Sequence, residues 1–464
     1  MKSKPRHSHP AVSPARAAAF DILLRVERES SYASELLHSR TYEQIAVVDH
    51  ALATELVMGV LRWRSAIDSR IAKDSAQPLS KLDLEILTAL RLAVYQLGWL
   101  SRIPARAALN ESVELVKRAR KRSAAPFVNA VLRKLVAGVS PSGDAGPPVV
   151  TADSADTLAA SSAHPRWLVE RWIRAYGFDS ALRICRYDQS IPVTAIRLRR
   201  PEAEERLRAE GIELAPGAFL ASALRVRSGD IAGTKAFREG LCAIQDEASQ
   251  LVAALVGRGS QVLDCCAAPG GKIAAVADRN PDSEMVAVEL HPHRARLLQK
   301  LLSAPHSAPG SGRGLINVVS GDARDLPFVR KFDRVLADVP CSGTGTLSRN
   351  PEIKWRLTRE DLNDLQARQL AILQSAMAHV VAGGRVIYST CSLEREENED
   401  VIERALAGDS SFRIVDCGAE LERLRREGDL IFSDPSSLTR GPYLRTLPGV
   451  HPCDGFFAAI LEKV

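Results

Sequence analysis

From about residue 241 onward, short apolar runs, glycine-containing turns and segments of helical periodicity alternate along the chain. This alternation restricts the fold strongly, because parallel strands need long crossover connections and are buried on both faces. The predicted strands are Gln261–Asp264, Met285–Glu289, Ile316–Val319, Phe332–Asp338 and Gly384–Ser389. Residues 241–464 are therefore predicted to form an α/β domain, with a Rossmann-like parallel sheet and helices on both faces.

The first third of the chain has the periodicity of helices instead. Between residues 15 and 138, apolar side chains recur at helical spacing, as in Leu52, Leu56 and Val60. This region is predicted to be an all-helical domain. Residues 1–14, which precede it, are basic and lack the apolar core of a secretory signal, so they are predicted to be a disordered arm.

Two further regions lie between these domains, and two segments interrupt the α/β part. Residues 139–163 are rich in Ser, Ala, Gly, Pro and Asp, which predicts a flexible linker. Residues 164–240 combine a helical segment with a strand, which predicts a small α+β region. The low-complexity segment Ser303–Gly314 is predicted to be a mobile insertion. The acidic segment Glu394–Asp400 is predicted to be the exposed start of a helix.

The composition excludes several classes of protein. No run of 18 or more apolar residues occurs, so no membrane span is predicted. The eight cysteines include no CxxC pair, which argues against a zinc site or a disulfide framework. A metal-free monomer in a reducing cytoplasm is predicted. Residues 1–150 contain 22 Lys and Arg against 14 Asp and Glu, whereas the remainder contains 40 against 42, which favours an anionic partner for the helical domain.

A glycine-containing turn follows the first predicted strand, in the sequence VLDCCAAPGGK of residues 262–272. Glycines let the backbone approach a ligand at the carboxyl end of a strand. The phosphate-binding patterns GxGxxG and GxxxxGK[ST] are absent, which favours a nucleoside cofactor without phosphates. Acids follow the next two strands, where Glu289 could accept ribose hydroxyls and Asp322 could face an adenine amino group. This pattern is typical of S-adenosylmethionine binding.

Two cysteines lie just past the ends of later strands. Cys341 follows Asp338 in the segment DVPCSGTG, and Cys391 lies in the segment YSTCSL. A buried cysteine is usually inert packing. Two cysteines at the sheet edge that is predicted to bind the cofactor favour a catalytic role.

Several blocks of this sequence resemble one family. The segments DCCAAPGGK, DVPCSGTGTLSRNPEIKW and YSTCSLEREENE are similar to those of the RsmB (Sun/Fmu) family of 16S ribosomal RNA cytosine-5 methyltransferases. Residues 104–115 and 127–133 resemble NusB-type RNA-binding helical domains, and residues 245–249 and 454–458 also match the family. The resemblance covers nearly the whole chain, although the family often has Asp at the position of Glu289. It implies a class I methyltransferase domain, S-adenosylmethionine as cofactor and 16S ribosomal RNA, free or in a particle, as partner.

The resemblance also implies a role for each residue of the site. Cys391 would add to carbon 6 of a cytosine and so activate carbon 5, Cys341 would assist release, and Asp338 would contact the N3/N4 edge of the base. Spacing alone leaves the two cysteines interchangeable, because DNA cytosine-5 methyltransferases use a Pro-Cys cysteine, which here is Cys341. The residues expected to hold the cofactor are Cys266, Ala267, Ala268, Pro269, Gly270, Gly271, Lys272, Glu289, Asp322 and Asp338.

The target base must be single-stranded or splayed out of a helix for a thiolate to reach it. Residues 164–240 are assigned to RNA recognition, and Trp355 is expected to pack in a core. The candidate phosphate contacts are Lys117, Arg118, Arg120, Lys121, Arg122, Arg349 and Lys354. Two alternatives remain: a transfer RNA cytosine-5 methyltransferase, and a non-catalytic NusB-like RNA-binding or antitermination factor. Both cysteines and a complete cofactor motif favour an enzyme.

Overall fold

The computed structural model describes residues 12–138, 148–200, 202–303 and 316–464. These residues divide into two compact units. The first unit contains the described residues up to Ile191 together with Leu347–Arg356, and the second contains those of Pro192–Thr346 and Leu357–Val464. A short segment from within the α/β sequence therefore belongs to the helical unit. Most of the predicted basic arm and the predicted insertion after Ser303 lie outside the described residues.

The first unit is helical throughout its described part, as the periodicity predicted. Its helices, numbered along the whole chain, are α1 (Pro14–Glu29), α2 (Ala33–Leu37), α3 (Arg40–Glu43), α4 (Val47–Arg62), α5 (Arg64–Asp74), α6 (Leu84–Trp99), α7 (Ala105–Arg118), α8 (Ala125–Gly138), α9 (Ala155–Ser161), α10 (Arg166–Tyr176), α11 (Phe178–Asp188) and α17 (Ile353–Arg356). Short 3-10 turns cover Leu79–Lys81 and Arg122–Ala124. The core includes Leu56, Leu90 and Leu115, all without exposed surface.

Helix α9 corrects one prediction, because it lies inside residues 139–163, which were expected to be a flexible linker. Ser154 accepts a hydrogen bond from the backbone N–H of Thr157, and the Thr157 hydroxyl accepts one from the backbone N–H of Ser154. This capping box satisfies backbone groups at the helix start. Residues 139–147 of the predicted linker lie outside the described residues. Helices α10 and α11 show that the region 164–240 contributes to both units.

The second unit contains two sheets. Its elements are β1 (Ala195–Leu198), α12 (Ala203–Ala209), β2 (Glu213–Pro216), β3 (Ala223–Ser228), α13 (Lys235–Arg238), β4 (Cys242–Ile244), α14 (Glu247–Leu255), β5 (Gln261–Asp264), α15 (Gly271–Arg279), β6 (Glu284–Glu289), α16 (Pro292–Ser303), β7 (Ile316–Ser320), β8 (Phe332–Asp338), α18 (Arg359–Ala378), β9 (Val380–Thr390), α19 (Glu399–Ala407), β10 (Phe412–Val415), α20 (Cys417–Arg426), β11 (Thr439–Arg440), β12 (Tyr443–Thr446) and β13 (Phe456–Lys463). Short 3-10 turns cover Thr344–Thr346, Arg395–Glu397 and Pro435–Leu438.

The smaller sheet is antiparallel, in the order β2-β3-β1-β4. The larger sheet runs β11-β12-β13-β9-β8-β5-β6-β7 among the described residues, with β10 also paired to β13. Strands β5 to β9 are parallel to one another, and β13 is antiparallel to β9. Apolar side chains are buried on both faces of this sheet, where helices cover them. The predicted fold class, a Rossmann-like methyltransferase sheet that follows an all-helical region and a small α+β region, is confirmed.

The order of the strands fixes where a ligand can bind. From β5 the chain continues to β6 and β7 on one side, and it then returns to β8 and β9 on the other side. In open α/β sheets, ligands bind outside the carboxyl ends of the strands at such a reversal. The ends of β5 and β8 therefore mark the site. Among the described residues, no helix is both long and apolar enough to cross a membrane.

Candidate active site

The glycine turn lies at the carboxyl end of β5, as the sequence predicted. Gly270 has a φ of 110° and is the residue before helix α15. A Cβ atom at this position would lie 2.6 Å from Cδ1 of Leu298, so only glycine fits without a shift. The backbone N–H of Ala267 donates to the carbonyl of Val288 on β6 at 2.9 Å, which anchors the turn to the neighbouring strand.

The two predicted cofactor acids follow the next two strands of the sheet, β6 and β7, and have different environments. Glu289 ends β6 and is 6% exposed. Its Oε1 accepts the backbone N–H of His291 at 2.9 Å, while Oε2 has no hydrogen-bond partner among the described residues. A largely buried carboxylate oxygen with free lone pairs fits ribose hydroxyls. Asp322 follows β7, and its hydrogen bonds with Arg324 hold the pKa of this carboxyl below its usual range.

The two cysteines are brought together, although 50 residues separate them in the sequence. Cys391 directly follows β9, Cys341 follows β8, and their Sγ atoms are 3.3 Å apart. Both side chains are half-buried. The hydrogen bond between the thiols, together with burial, raises the pKa of Cys341 well above its usual value. A protonated Cys341 can therefore donate to a thiolate at Cys391.

Lys272 and Asp338 form an ion pair between the glycine turn and the end of β8. Lys272 Nζ lies 2.8 Å from Asp338 Oδ2, and the two side chains are 14% and 26% exposed. Burial disfavours the charged lysine, but the attraction of Asp338 outweighs burial and raises the pKa of Lys272. The negative charge of an ionised Cys391 acts in the same direction. The ammonium group therefore supplies positive potential to Cys391.

Asp338 has a second partner and an acidic neighbour. The hydroxyl of Ser389, on β9, donates to its Oδ1 at 2.8 Å, which fixes the orientation of the carboxylate. Asp264 ends β5 and is 1% exposed. Burial, followed by the negative charge of Asp338, raises the pKa of Asp264 to about 7. A carboxyl group that can carry a proton near neutral pH therefore lies at the strand reversal.

The acidic segment after Cys391 was predicted to be exposed, and this prediction is wrong. Glu394, Glu397 and Asn398 are 2%, 0% and 0% exposed. Asn398 Nδ2 donates to the carbonyls of Ser392 and Glu394 at 2.9 and 2.8 Å, which folds the chain back behind the cysteine. Hydrophobic periodicity could not reveal this burial, because an acidic run has the same sequence whether its carboxylates are hydrated or accept hydrogen bonds from protein donors. The one available signal was that the acidic segment directly follows a cysteine at a strand end.

The predicted RNA contacts of the helical unit lie on its surface at the end of α7. The side chains of Lys117, Arg118 and Lys121 are 38–46% exposed and pair with Glu114, Asp21 and Asp83. Arg120 and Arg122 are exposed and have no ion-pair partner among the described residues. Exposed ion pairs of this kind are weak, so all five cations remain candidates for phosphate contacts.

Lys354 corrects a prediction, because it lies in the core of the helical unit and not on an RNA-facing surface. It is 1% exposed, and its Nζ donates to the carbonyl of Arg62 at 3.0 Å. Arg349 is half-buried in the same segment. The indole N–H of Trp355 donates to the carbonyl of Leu61 at 2.6 Å, which agrees with the expectation that this ring packs rather than stacks on a base.

Comparisons with known proteins follow the same division of the chain. A family model described as 16S rRNA methyltransferase RsmB/F matches residues 255–462. Models of the NusB family and of an RsmF/B-like ferredoxin-like domain match residues 13–137 and 164–231. The probable ribosomal RNA small subunit methyltransferase B of Bacillus subtilis is 34% identical over 461 residues, which are 97% of this chain and 98% of that protein. Its counterpart in Vibrio cholerae is 31% identical over 97% of both chains.

Solved structures show the same fold. The crystal structure of PH0851 superposes with a TM-score of 0.77 at 24% identity, over 99% of this chain and 100% of that one. NSun6 from Pyrococcus horikoshii, solved with SFG, superposes with a TM-score of 0.54 at 18% identity, over 65% and 99% of the two chains.

The doubly wound sheet, the glycine turn and the acids at the strand ends define an S-adenosylmethionine-dependent methyltransferase, and the matching family model and relatives make it an RNA methyltransferase. The similarity to relatives along nearly the whole chain then settles the family. The chain belongs to the 16S rRNA methyltransferase RsmB/F family. The predicted family, NusB-like domain and cofactor are thereby confirmed.

Proposed function

We propose that this protein methylates carbon 5 of a cytosine in 16S ribosomal RNA, and that Cys391 forms a transient covalent bond to the base. The observation that carries the proposal is the 3.3 Å approach of two thiols at the strand ends beside the cofactor turn. Carbon 5 of cytosine is a poor nucleophile. Addition of a thiolate to carbon 6 removes the aromaticity and makes carbon 5 enamine-like, so that one difficult step becomes several easier ones.

The residues of the cofactor turn fit S-adenosylmethionine. Gly270 lets the turn pack directly against Leu298 at the carboxyl end of β5, and Glu289 offers an unpaired carboxylate oxygen to ribose hydroxyls. Asp322 remains our candidate for the adenine amino group, although Arg324 competes for it. When bound, S-adenosylmethionine supplies an electrophilic methyl group.

The roles of the two cysteines follow from the family and agree with their proximity. With the two Sγ atoms 3.3 Å apart, a protonated Cys341 can donate to a Cys391 thiolate and is placed to assist release afterwards. Lys272 stabilises negative charge at the same point. Asp338 is the candidate for the N3/N4 edge of the cytosine. Because Asp338 accepts from the ammonium group of Lys272, the pair places a positive charge near the ring, where it would stabilise negative charge that develops during attack.

Substitution of each cysteine tests the proposal. Cys391→Ala should abolish methyl transfer from labelled S-adenosylmethionine to a 16S RNA transcript. Cys341→Ala should accumulate a covalent protein–RNA adduct, because release fails, and a denaturing gel would resolve it. Cys417→Ala is the matched control, since Cys417 is a buried cysteine at the start of α20 whose Sγ contacts the carbonyl of Ala458 on β13.

Three results would contradict this assignment. An adduct that requires Cys341 and survives loss of Cys391 would exchange the two roles. Bisulfite mapping of ribosomal RNA from cells with and without the gene should locate one new methylated cytosine. Methylation confined to transfer RNA would favour the alternative substrate, and protein that binds RNA but no S-adenosylmethionine would favour a non-catalytic factor.

A further inference from the structure

A buried carboxylate lies behind the two cysteine segments and has no role in the chemistry proposed above. Glu397 has no exposed surface. None of the ion pairs formed by the described part of the chain includes it. Four hydrogen-bond donors satisfy it instead, from Ser342, Gln369 and Ser392. A buried carboxylate is tolerated only where such donors surround it, and charge-assisted hydrogen bonds are the strong ones.

Three of these four donors come from the residues that directly follow the two cysteines. Ser342 directly follows Cys341, and both its backbone N–H and its hydroxyl donate to Glu397, at 2.7 and 2.5 Å. Ser392 directly follows Cys391, and its hydroxyl donates to the same Oε2 atom that accepts from Ser342. A single carboxylate therefore ties together the residues that follow the two cysteines.

Glu397 is itself fixed from behind. Gln369, on α18, donates to its Oε1 at 2.9 Å and to the carbonyl of Pro340 at 2.9 Å. The hydroxyl of Tyr388, on β9, donates to the backbone carbonyl of Glu397 at 2.6 Å. A side chain whose own position is fixed by packing and hydrogen bonds can hold its partners accurately.

We propose that Glu397 is a positioning residue that sets the distance between the thiols of Cys341 and Cys391. The inference rests on the proposed function, because the spacing matters only if both thiols act on one base. The backbone N–H of Gly345 also donates to the carbonyl of Cys391, at 2.8 Å. Loss of the carboxylate should therefore shift the cysteine segments apart without unfolding them.

The test measures thiol proximity directly, without relying on methylation. Diamide oxidises two adjacent thiols to a disulfide and takes up the two hydrogens. The rate of disulfide formation between Cys341 and Cys391 is measured by alkylating the remaining thiols and analysing the protein by mass spectrometry. In Glu397→Ala this rate should be lower by about tenfold, which is the effect of losing one or more charge-assisted hydrogen bonds. Glu397→Gln keeps the shape and should fall between this variant and the wild type.

Two further variants complete the design. Ser392→Ala removes a single donor and should also slow cross-linking, so it carries the test if Glu397→Ala does not fold. Asp333→Asn is the matched control. Asp333 binds the backbone N–H and hydroxyl of Ser260, each at 2.7 Å, and so makes a similar bridge at the amino ends of β5 and β8. In the Asp333→Asn variant, Cys341 and Cys391 should cross-link at the wild-type rate.

Steady-state kinetics provide the second readout. Glu397→Ala should lower kcat for RNA methylation by about tenfold, as expected when reacting groups are misplaced, and leave KM for RNA and cofactor within about twofold. Wild-type rates of cross-linking and turnover in both Glu397→Ala and Ser392→Ala would overturn the positioning role and leave the proposed function intact. If the wild type cross-links faster than the variants but methylates no cytosine, the proposed function fails and the fixed thiol spacing stands.

Discussion

Replacement of Lys354 by methionine should increase the free energy of unfolding of the helical unit. The increase is expected even though Lys354 is a charged residue in a segment that resembles the family. Lys354 is 1% exposed and donates one hydrogen bond, to the carbonyl of Arg62. Burial lowers its pKa from 10.5 to about 7, against the opposing attraction of Asp188 and Cys185. Burial also lowers the pKa of His164, so this imidazole is neutral and supplies no further cation beside Asp188.

The size of the effect follows from that pKa. A lysine whose pKa falls from 10.5 to about 7 on folding costs roughly 4 kcal/mol at neutral pH, since each unit corresponds to about 1.4 kcal/mol. Methionine fills a similar volume without this cost. It removes one hydrogen bond to the Arg62 carbonyl, which keeps a second donor, Gln189 Nε2, at 3.0 Å, so the loss costs about 0.5–1.5 kcal/mol. The variant should therefore gain about 2.5–3.5 kcal/mol at pH 7, within the range found when buried charges are replaced by apolar groups.

The pH dependence has a definite sign. Below about pH 7 the lysine is protonated in both folded and unfolded chains, and its cost is fully present. Between about pH 7 and 10.5 the unfolded chain holds a proton that the folded chain lacks, so stability rises with pH. The wild type should gain about 2 kcal/mol between pH 7 and pH 9 from this residue, and Lys354→Met should lack that gain.

The five tryptophans make this measurable, because all of them lie in the helical unit: Trp63, Trp99, Trp167, Trp172 and Trp355. Their fluorescence during urea unfolding reports on that unit alone. Lys73→Met, at an exposed position of α5, is the matched control and should leave the stability curve unchanged. A variant that loses RNA affinity while its stability and pH dependence stay as in the wild type would refute the argument and restore Lys354 as a phosphate contact.

Two further predictions concern the RNA surface and the cofactor turn. Arg120→Gln combined with Arg122→Gln should weaken RNA binding and reduce the slope of log affinity against log salt by about 1–2, measured by filter binding; an unchanged slope would exclude a phosphate role. Gly270→Ala should cost about 2–4 kcal/mol and weaken S-adenosylmethionine binding in calorimetry, because φ is 110° and the new Cβ would meet Leu298 at 2.6 Å. Gly383→Ala is its control: φ is 72° but nothing lies within 4 Å, so a smaller loss confined to stability is expected, and equal losses would contradict the steric argument.

Local patterns were sufficient for the elements of the α/β part. Strand β8 covers Phe332–Asp338, as predicted, because its buried apolar residues Val335, Leu336 and Ala337 form a short run that is typical of a parallel strand. Strand β9 begins at Val380, four residues before the predicted start, since the intervening glycines hide its beginning from a propensity argument. Helix α9 was predicted to be part of a linker because it is short and lies among small residues, so hydrophobic periodicity gives little sign of it.

The sequence by itself determined the fold class, the family and the residue types at the strand ends, because motif residues and apolar periodicity are local properties. Only the tertiary structure decided which charges are buried. Glu397 and Lys354 both belong to polar segments, yet each lies in a core, one surrounded by donors and the other desolvated against a single carbonyl. Burial depends on contacts between residues far apart in the chain, such as Lys354 with Arg62, and no local pattern encodes those contacts.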